Sequence, residues 1–477
     1  MPVPVVDLSL LAPEITLAVL ATAILVLGLI VPKGSRYGLS WLAIIGLAGV
    51  LGITLAGWEN QGTLYEGLFI VDQYAIFFKI TFLVAAFLVA LGSQRYIERI
   101  GNQSEYYSVL LFAALGMLVM ASAGDFITLY LGLELMTIAF IILVCFNRTS
   151  ARSLEAGIKY ILLAGMSSAV LLYGLSLVYG LSGSVLIPEV AQAVARHPSP
   201  ALILGLVMLV AGLGFKISAV PFHMWAPDIY EGAPTPVTAF LAAGSKAASF
   251  AILLRIFVAA LPGVWAYWTT LVAILAAVTI IVGNLVAIPQ TNIKRLLAYS
   301  SIAQAGYILV GLVTAEVTGV KAVMFYAFLY VFATVGAFTV ASCVYAVTGS
   351  DEIKDYAGLS QRSPFMAAVM VVCMLSMAGI PPLAGFVGKF YLFATVVNDY
   401  LWLVFIGLVM SMVSVYYYLK VTLVMYRDEP VDNTPIKLSG PVAVTLLITM
   451  AATLLIGIYP GPLSEAVNAA ANTFFLH

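Results

Sequence analysis

The sequence predicts an all-α polytopic membrane protein of about fourteen transmembrane helices, arranged as two inverted five-helix repeats with one broken helix in each, the seventh and the twelfth. Three observations lead there. Of 477 residues, 63% are hydrophobic and 9% are charged, and the mean hydropathy is +1.08; a soluble domain carries about 45–50% apolar and roughly 25% charged residues. The apolar residues fall into runs near the roughly 20 needed to cross a hydrocarbon core. Prolines interrupt two of these runs, at Pro221 and at Pro381-Pro382.

In order, the predicted helices cover 11–31, 38–57, 72–92, 107–123, 125–146, 156–181, 201–223, 234–259, 266–287, 295–314, 319–347, 364–393, 399–426 and 440–460. Only Gly124 and Asp125 separate the fourth from the fifth, and fusing the two would invert everything downstream. Loop charge decides the matter, because cytoplasmic loops are enriched in Lys and Arg. With fourteen helices, one set of loops holds Lys33, Arg36, Arg95, Arg99, Arg148, Arg152, Lys294, Arg295, Lys354, Arg362, Arg427 and Lys437, and the other holds Arg196 and Lys321. Fusion would scatter these residues onto both sides. The helices are therefore separate, and both termini are expected on the non-cytoplasmic side of a bacterial plasma membrane or a thylakoid-type membrane. Strands are not expected, since helices satisfy their own backbone groups in lipid and the runs are too long for barrel strands. The first run is read as a retained helix, because Asp7 and Glu14 precede or begin it with no Lys or Arg, the wrong charge for a secretory signal.

Several functions are excluded. Lys plus Arg total 21 and Asp plus Glu 22, for a net charge of −1, which leaves no basic footprint for nucleic acid. Cys145, Cys343 and Cys373 sit in apolar runs without CxxC spacing and read as small core residues. The three histidines, at 197, 223 and 477, form no HExxH, and no phosphate-binding glycine pattern is present. No cofactor or metal site is expected on this chain.

The seventh helix contains Lys216-Ile217-Ser218-Ala219-Val220-Pro221-Phe222-His223, and the twelfth contains Gly379-Ile380-Pro381-Pro382-Leu383-Ala384-Gly385-Phe386 ahead of Lys389. Proline removes a helix donor and frees carbonyls that must be satisfied inside the protein. Because the two broken helices are an odd number of helices apart, they run in opposite directions, as an inverted repeat requires. The layout divides into 1–106 (helices 1–3), 107–260 (first repeat, helices 4–8), 261–430 (second repeat, helices 9–13) and 431–477 (helix 14 and tail).

Basic residues left inside apolar runs are Lys79, Lys159, Lys216, Lys246, Arg255, Lys389 and Lys420. Snorkelling to a helix end accounts for Lys79, Arg255 and Lys420, and for Lys159 it stands level with a functional role. Glu134 lies about 13 Å into the fifth helix, close to the midplane, and Lys246 is similarly deep in the eighth. An ionisable group at that depth costs roughly 2.5–3.5 kcal/mol, so Glu134, Lys216, Lys246 and Lys389 together oppose folding by on the order of 10 kcal/mol. Apolar residues would serve a structural role at lower cost, which points to function. Burial disfavours the charged form of either residue type and an opposite charge restores it, so a Glu–Lys pair that forms and breaks can take up and release a proton. His223 could relay a proton or plug freed carbonyls. Ser300, Ser301, Gln304 and Tyr307 make the tenth helix polar enough for water or interhelical hydrogen bonds.

Gly132-Leu133-Glu134-Leu135-Met136, the run EAGIKYILLAGMSSAVLLYGLSLVYG from Glu155, GFKISAVPFHMWAPDIYEGAPTPVTAFLAAGSKAA from Gly214, NIKRLLAYSSIAQAGY from Asn292 and AGIPPLAGFVGKFYLF from Ala378 closely resemble the antiporter-like subunit N family of bacterial proton-pumping NADH:quinone oxidoreductase, respiratory complex I. The resemblance runs from roughly residue 70 to 430. It implies fourteen helices with two inverted repeats and a proton channel driven by quinone reduction elsewhere. NAD, FMN, iron–sulfur clusters and quinone would lie on other subunits. Partners would be other membrane subunits, including neighbouring antiporter-like ones, and the lipid bilayer. By resemblance the functional positions are Glu134, Lys159, Lys216, Lys246 and Lys389, with His223 on the same polar axis. Glu134 would modulate the charge of Lys216, Lys246 would link the half-channels, and Lys389 would handle the proton on the exit side. Gln304 departs from the family, many members of which have histidine there. Rival readings are a subunit of a related multisubunit cation/proton antiporter or membrane-bound hydrogenase, a stand-alone ion-coupled transporter, and a purely structural arm.

Overall fold

The computed structural model describes residues 7–32, 37–196, 199–430 and 434–475. The predicted positions of Lys33, Arg36, His197 and His477 lie outside these residues, as does the side chain of Arg196. The helices are α1 (Ala12–Ile30), α2 (Tyr37–Ala56), α3 (Gln73–Ile100), α4 (Gln103–Ala121), α5 (Phe126–Val144), α6 (Ala151–Ser182), α7 (Ile187–Arg196), α8 (Pro200–Ile217), α9 (Trp225–Gly232) and α10 (Thr235–Ala260). They continue as α11 (Trp265–Ala287), α12 (Ile293–Leu312), α13 (Val317–Thr348), α14 (Pro364–Ala378), α15 (Ala384–Val396), α16 (Leu401–Arg427), α17 (Gly440–Ile458) and α18 (Gly461–Phe474). Among the described residues, twelve helical segments are long and apolar enough to cross a membrane. The polar α12 and the broken pair α14/α15 complete the predicted fourteen.

Helix starts are set by side-chain caps that satisfy orphan amides. Asp72 accepts from Ala75 N at 2.6 Å, Asp125 from Ile127 N and Thr128 N at 2.8 and 3.0 Å, and Asn292 from Lys294 N and Arg295 N at 2.9 and 3.2 Å. Asp125 and Gly124 do separate α4 from α5, so the two are distinct. These helices cross at Gly116 and Gly132: a Cβ on Gly116 would lie 2.6 Å from Met136 N. That contact holds the helix carrying Glu134 directly against α4.

Every residue of α10 is buried except the half-buried Ala259, and α13 is nearly as enclosed. Large apolar residues such as Leu29, Ile30, Leu131, Met166, Phe405 and Met412 cover the outside. Such a surface is stable only against lipid or other apolar helices. Residues of the basic loops gather at one end. Arg95 donates to Lys437 O at 3.0 Å, Arg99 to Ala346 O at 2.7 Å and Arg362 to Thr434 O at 3.3 Å.

The structure corrects the sequence reading at several points. A hairpin of β1 (Gly62–Leu64) and β2 (Phe69–Val71) pairs Gly62 with Val71 and Leu64 with Phe69. It lies between spans, where Ile70 N donates to Ser122 O at 2.7 Å, so the argument against strands inside lipid does not reach it. The helices α7 and α18 were not predicted, since ten and fourteen residues rise only about 15 and 21 Å. Lys79 and Arg255 do not snorkel. Lys79 is buried and pairs with Glu14 at 2.7 Å, and Arg255 is buried against Asp72 at 3.0 Å. Lys420 is half-buried.

A candidate proton-conducting axis

Both helix breaks build the polar site from their own freed backbone. At the first, α8 ends on Ser218 in the left-handed region (φ 61°), followed by a cis Val220–Pro221 peptide. Phe215 O is retrieved by Trp225 Nε1 at 2.8 Å, and Val220 N by Thr279 Oγ1 at 3.0 Å. At the second, α14 ends on Gly379 (φ 87°), and a cis Pro381–Pro382 peptide follows. Here Met377 O accepts from Gln304 Nε2 at 2.8 Å and Ala378 O from Lys389 Nζ at 3.0 Å. A Cβ at Gly379 would come within 2.9 Å of Lys389 Cδ, so glycine both makes the turn and leaves room for the lysine.

Lys216, Lys246 and Lys389 are all buried, and each is held by neutral oxygens. Lys216 Nζ donates to Thr137 Oγ1 at 2.9 Å and Lys246 Nζ to Ser301 O at 2.5 Å. Lys389 Nζ donates to Ser411 Oγ at 2.6 Å as well as to Ala378 O, and sits 4.3 Å from the centre of the Tyr307 ring. No carboxylate lies within 4.0 Å of any of the three among the described residues, unlike Lys79 and Arg255. A buried cation left to neutral partners is poorly compensated, and proton release relieves that penalty.

Glu134 is half-buried, and its Oε1 is buried without a hydrogen-bond partner. It falls in the outward stripe Ile127, Leu131, Ile138 and Ile142 of α5, so it stands at the flank of the chain rather than in its centre. Its charge still acts on Lys216. His223 lies in the turn between α8 and α9, buried, with Nδ1 lacking a well-formed hydrogen bond, and its ring lies beside the backbone of Pro221 in the break. Lys159 is apart from the others. It is 42% exposed and joins a surface network, 2.8 Å from Glu155 and 3.0 Å from Asp228, with Arg295 bridging Asp228 and Glu231 at 3.0 and 2.9 Å.

Between Lys246 and Lys389 runs a hydrogen-bonded group extending well beyond α12. Ser300 meets Tyr418 OH at 2.5 Å, Gln304 Nε2 reaches Tyr418 OH at 3.2 Å, and Tyr326 donates to Gln304 Oε1 at 2.5 Å. Tyr417 donates to Asn284 Oδ1 at 3.0 Å, and Asn284 Nδ2 to Tyr307 OH at 3.2 Å. Gln304 thus occupies the centre of this group. Sequence reasoning named Ser300, Ser301, Gln304 and Tyr307 but missed Thr137, Asn284, Tyr326, Ser411, Tyr417 and Tyr418. An asparagine deep in α11 and the Tyr417-Tyr418 pair in α16 were the available signals.

A helical membrane bundle with two broken helices and a file of buried lysines is the architecture of an antiporter-like membrane subunit. Residues 123–414 match the family described as NADH:quinone oxidoreductase/Mrp antiporter, TM. NADH-quinone oxidoreductase subunit N of Desulforamulus reducens is 66% identical over 472 residues, 98% of this chain and 99% of that one. A chain of respiratory complex I from Thermus thermophilus superposes with TM-score 0.83 and 35% identity, covering 96% and 99% of the two chains. A chain of the archaeal membrane-bound sulfane sulfur reductase gives TM-score 0.88 at 25% identity, covering 98% and 97%. The chain belongs to the NADH-quinone oxidoreductase subunit N family.

Proposed function

We propose that this chain carries protons across the membrane as a subunit of NADH:quinone oxidoreductase, using Glu134, Lys216, Lys246 and Lys389 in series and holding no redox group itself. The observation that carries the reading is the set of three buried lysines bound only to neutral oxygens. Each can lose a proton without leaving a buried carboxylate behind. Glu134, on the flank of α5, supplies a charge that stabilises the ammonium of Lys216 when near and releases it when drawn away. The Gln304–Tyr418–Tyr417–Asn284–Tyr307 group then offers hydroxyl and amide partners for water between Lys246 and Lys389. His223 serves at the first break, and Lys159 acts through the surface network rather than on the axis.

Two five-helix units, 107–260 and 261–430, account for the similar break chemistry at Ser218 and Gly379. The basic end faces the cytoplasm of a bacterial plasma membrane by loop charge, which puts both termini outside. NAD, FMN, iron–sulfur clusters and quinone belong to other subunits, and quinone reduction there supplies the energy. A neighbouring antiporter-like subunit covers Glu134, because a carboxylate on an outward apolar stripe would otherwise face lipid at a cost of a few kcal/mol. That same feature argues against a stand-alone transporter. Lys216→Met in an assembled complex abolishes proton translocation on this reading, and normal pumping by that variant would sink it. Copurification of hydrogenase or cation-antiporter subunits would assign the chain to those relatives instead.

A further inference from the structure

We infer that a polar cavity at the basic end of the bundle is a proton-uptake vestibule, with Asp351 as its proton acceptor, delivering to Lys246 past Tyr230, Ser301, Tyr330 and Thr334. The inference rests on the proton-carrying reading above and adds a route and residues to it.

The cavity measures about 310 Å³, and its wall includes Arg152, Glu231, Asn292, Lys294, Asp351 and Glu352. At roughly 30 Å³ per water it has room for several. Asp351 follows α13, outside the spans, and its segment is pinned to the start of α12 by Ile293 N to Asp351 O and Ile353 N to Thr291 O, both 2.8 Å. Its side chain is 9% exposed. One carboxylate oxygen, Oδ2, stands 3.6 Å from Lys294 Nζ, beyond good hydrogen-bond range, while Lys294 is committed to Ala233 O at 2.9 Å. The other oxygen, Oδ1, is buried with no partner. Lys294 from α12, Glu231 from α9, Arg152 from α6, Tyr96 from α3 and Tyr356 beyond it are the charged and titratable groups that act on Asp351. Burial pushes its carboxyl above the ordinary value, against the pull of Lys294.

Inward of the cavity the polar atoms continue. Ala233 ends the α9 turn that carries Tyr230, whose hydroxyl faces Ser301. Tyr330 faces both Ser301 and Thr334. The hydroxyls of Tyr230, Ser301 and Thr334 are all buried and none makes a well-formed hydrogen bond, although Tyr230 and Tyr330 lie close enough to Ser301, and Tyr330 to Thr334, to interact. Isolated orphan hydroxyls are uncommon in protein interiors, and neighbouring ones mark water positions. The carbonyl of Ser301 holds Lys246 Nζ, so this line of hydroxyls ends on the buried lysine. In proton terms, Asp351 takes one proton from hydronium in the cavity. Its carboxyl passes that proton to the next water, each hydroxyl or water gives one proton and receives another, and the neutral amine of Lys246 becomes ammonium. One proton leaves the aqueous side for each ammonium formed.

The test uses the complete complex in proteoliposomes, comparing Asp351→Asn, Asp351→Glu and Lys216→Met. Asp351→Asn should lower the translocation rate about tenfold or more, with Asp351→Glu restoring it and shifting the alkaline limb of the pH profile. An unchanged rate and profile in Asp351→Asn, or equal losses in both variants without a change of profile, overturns the inference, while abolished pumping in Lys216→Met leaves the function standing. Normal pumping in Lys216→Met overturns the function and this route with it. If Asp351→Asn does not assemble, hydroxyl-radical footprinting of the unaltered complex decides. Oxidation of the buried Tyr230 and Tyr330 by trapped water supports the route, and their silence beside a labelled Tyr459, exposed in the turn between α17 and α18, overturns it.

Discussion

The ammonium of Lys216 is bonded to the Thr137 hydroxyl at 2.9 Å and not to Glu134, which precedes Thr137 by one turn on α5. The hydroxyl itself donates to Leu133 O at 2.8 Å, leaving its lone pairs for the lysine. Thr137 therefore holds Lys216 in the state dissociated from the glutamate. Thr137→Val keeps the shape and removes that acceptor. A hydrogen bond to a charged group contributes about 1.5–3 kcal/mol, so the balance should move toward the Glu134-paired state by roughly tenfold or more. The expected outcome is an assembled complex with a several-fold lower translocation rate, measured as proton uptake against quinone reduction.

Lys159→Met should do much less than Lys216→Met. The surface pairs around Lys159 are solvent-screened and worth about 0–1 kcal/mol, and the side chain does not reach the buried lysines. The two variants assayed side by side for translocation would show this; an equal loss would place Lys159 on the axis.

Arg255→Met should destabilise the complex by about 3–5 kcal/mol, the cost of leaving a buried carboxylate unpaired. Arg255 joins α10 to Asp72 of α3, to Ala121 O at the end of α4 at 3.2 Å, and to the rings of Tyr74 and Phe474 at 4.7 and 5.6 Å. The double variant with Asp72→Asn should recover most of the loss in a thermal-unfolding measurement, because no unpaired charge remains.

Docking of the segment 351–356 should weaken as pH rises. The folded loop favours the neutral Asp351 carboxyl over the charged one, so its contribution is fully present below the ordinary value of 3.8 and is lost as pH climbs through the raised value. Hydrogen exchange at the amides of Ile293 and Ile353, corrected for the intrinsic pH dependence, should show falling protection with rising pH, and Asp351→Asn should flatten the trend.

The spans and both breaks were legible because the bilayer imposes length and prolines mark interruptions. The deep Lys216, Lys246 and Lys389 were legible because charge in an apolar run has few benign explanations. Lys79 and Arg255 misled, since their partners Glu14 and Asp72 are carboxylates near helix starts that depth alone assigns to the surface. The network around Gln304 was half visible. Ser and Gln on one helix can be read from its own sequence, but Tyr418, Tyr326 and Asn284 arrive from three other helices, and pairing across helices leaves no local periodicity. Helices α7 and α18 do carry the pattern, with Ile187, Val190 and Val194, and Val467, Ala470, Ala471 and Phe474 buried; a window tuned to membrane-crossing length passes over them.

The wide π turns at Leu241–Ser245 and Leu254–Ala260, on either side of Lys246, amount to spare residues wound into α10. Removing one residue from the first would let the helix close as ordinary α-helix with its ends still in place, and Lys246 would keep its alignment with Ser301. The same deletion in the regular turns between the two bulges has no slack to draw on and would rotate one flank by about 100° relative to the other. This stretch of chain can therefore tolerate a change of length only where a spare residue is wound in. The aim of its lysine depends on where along the helix the change falls.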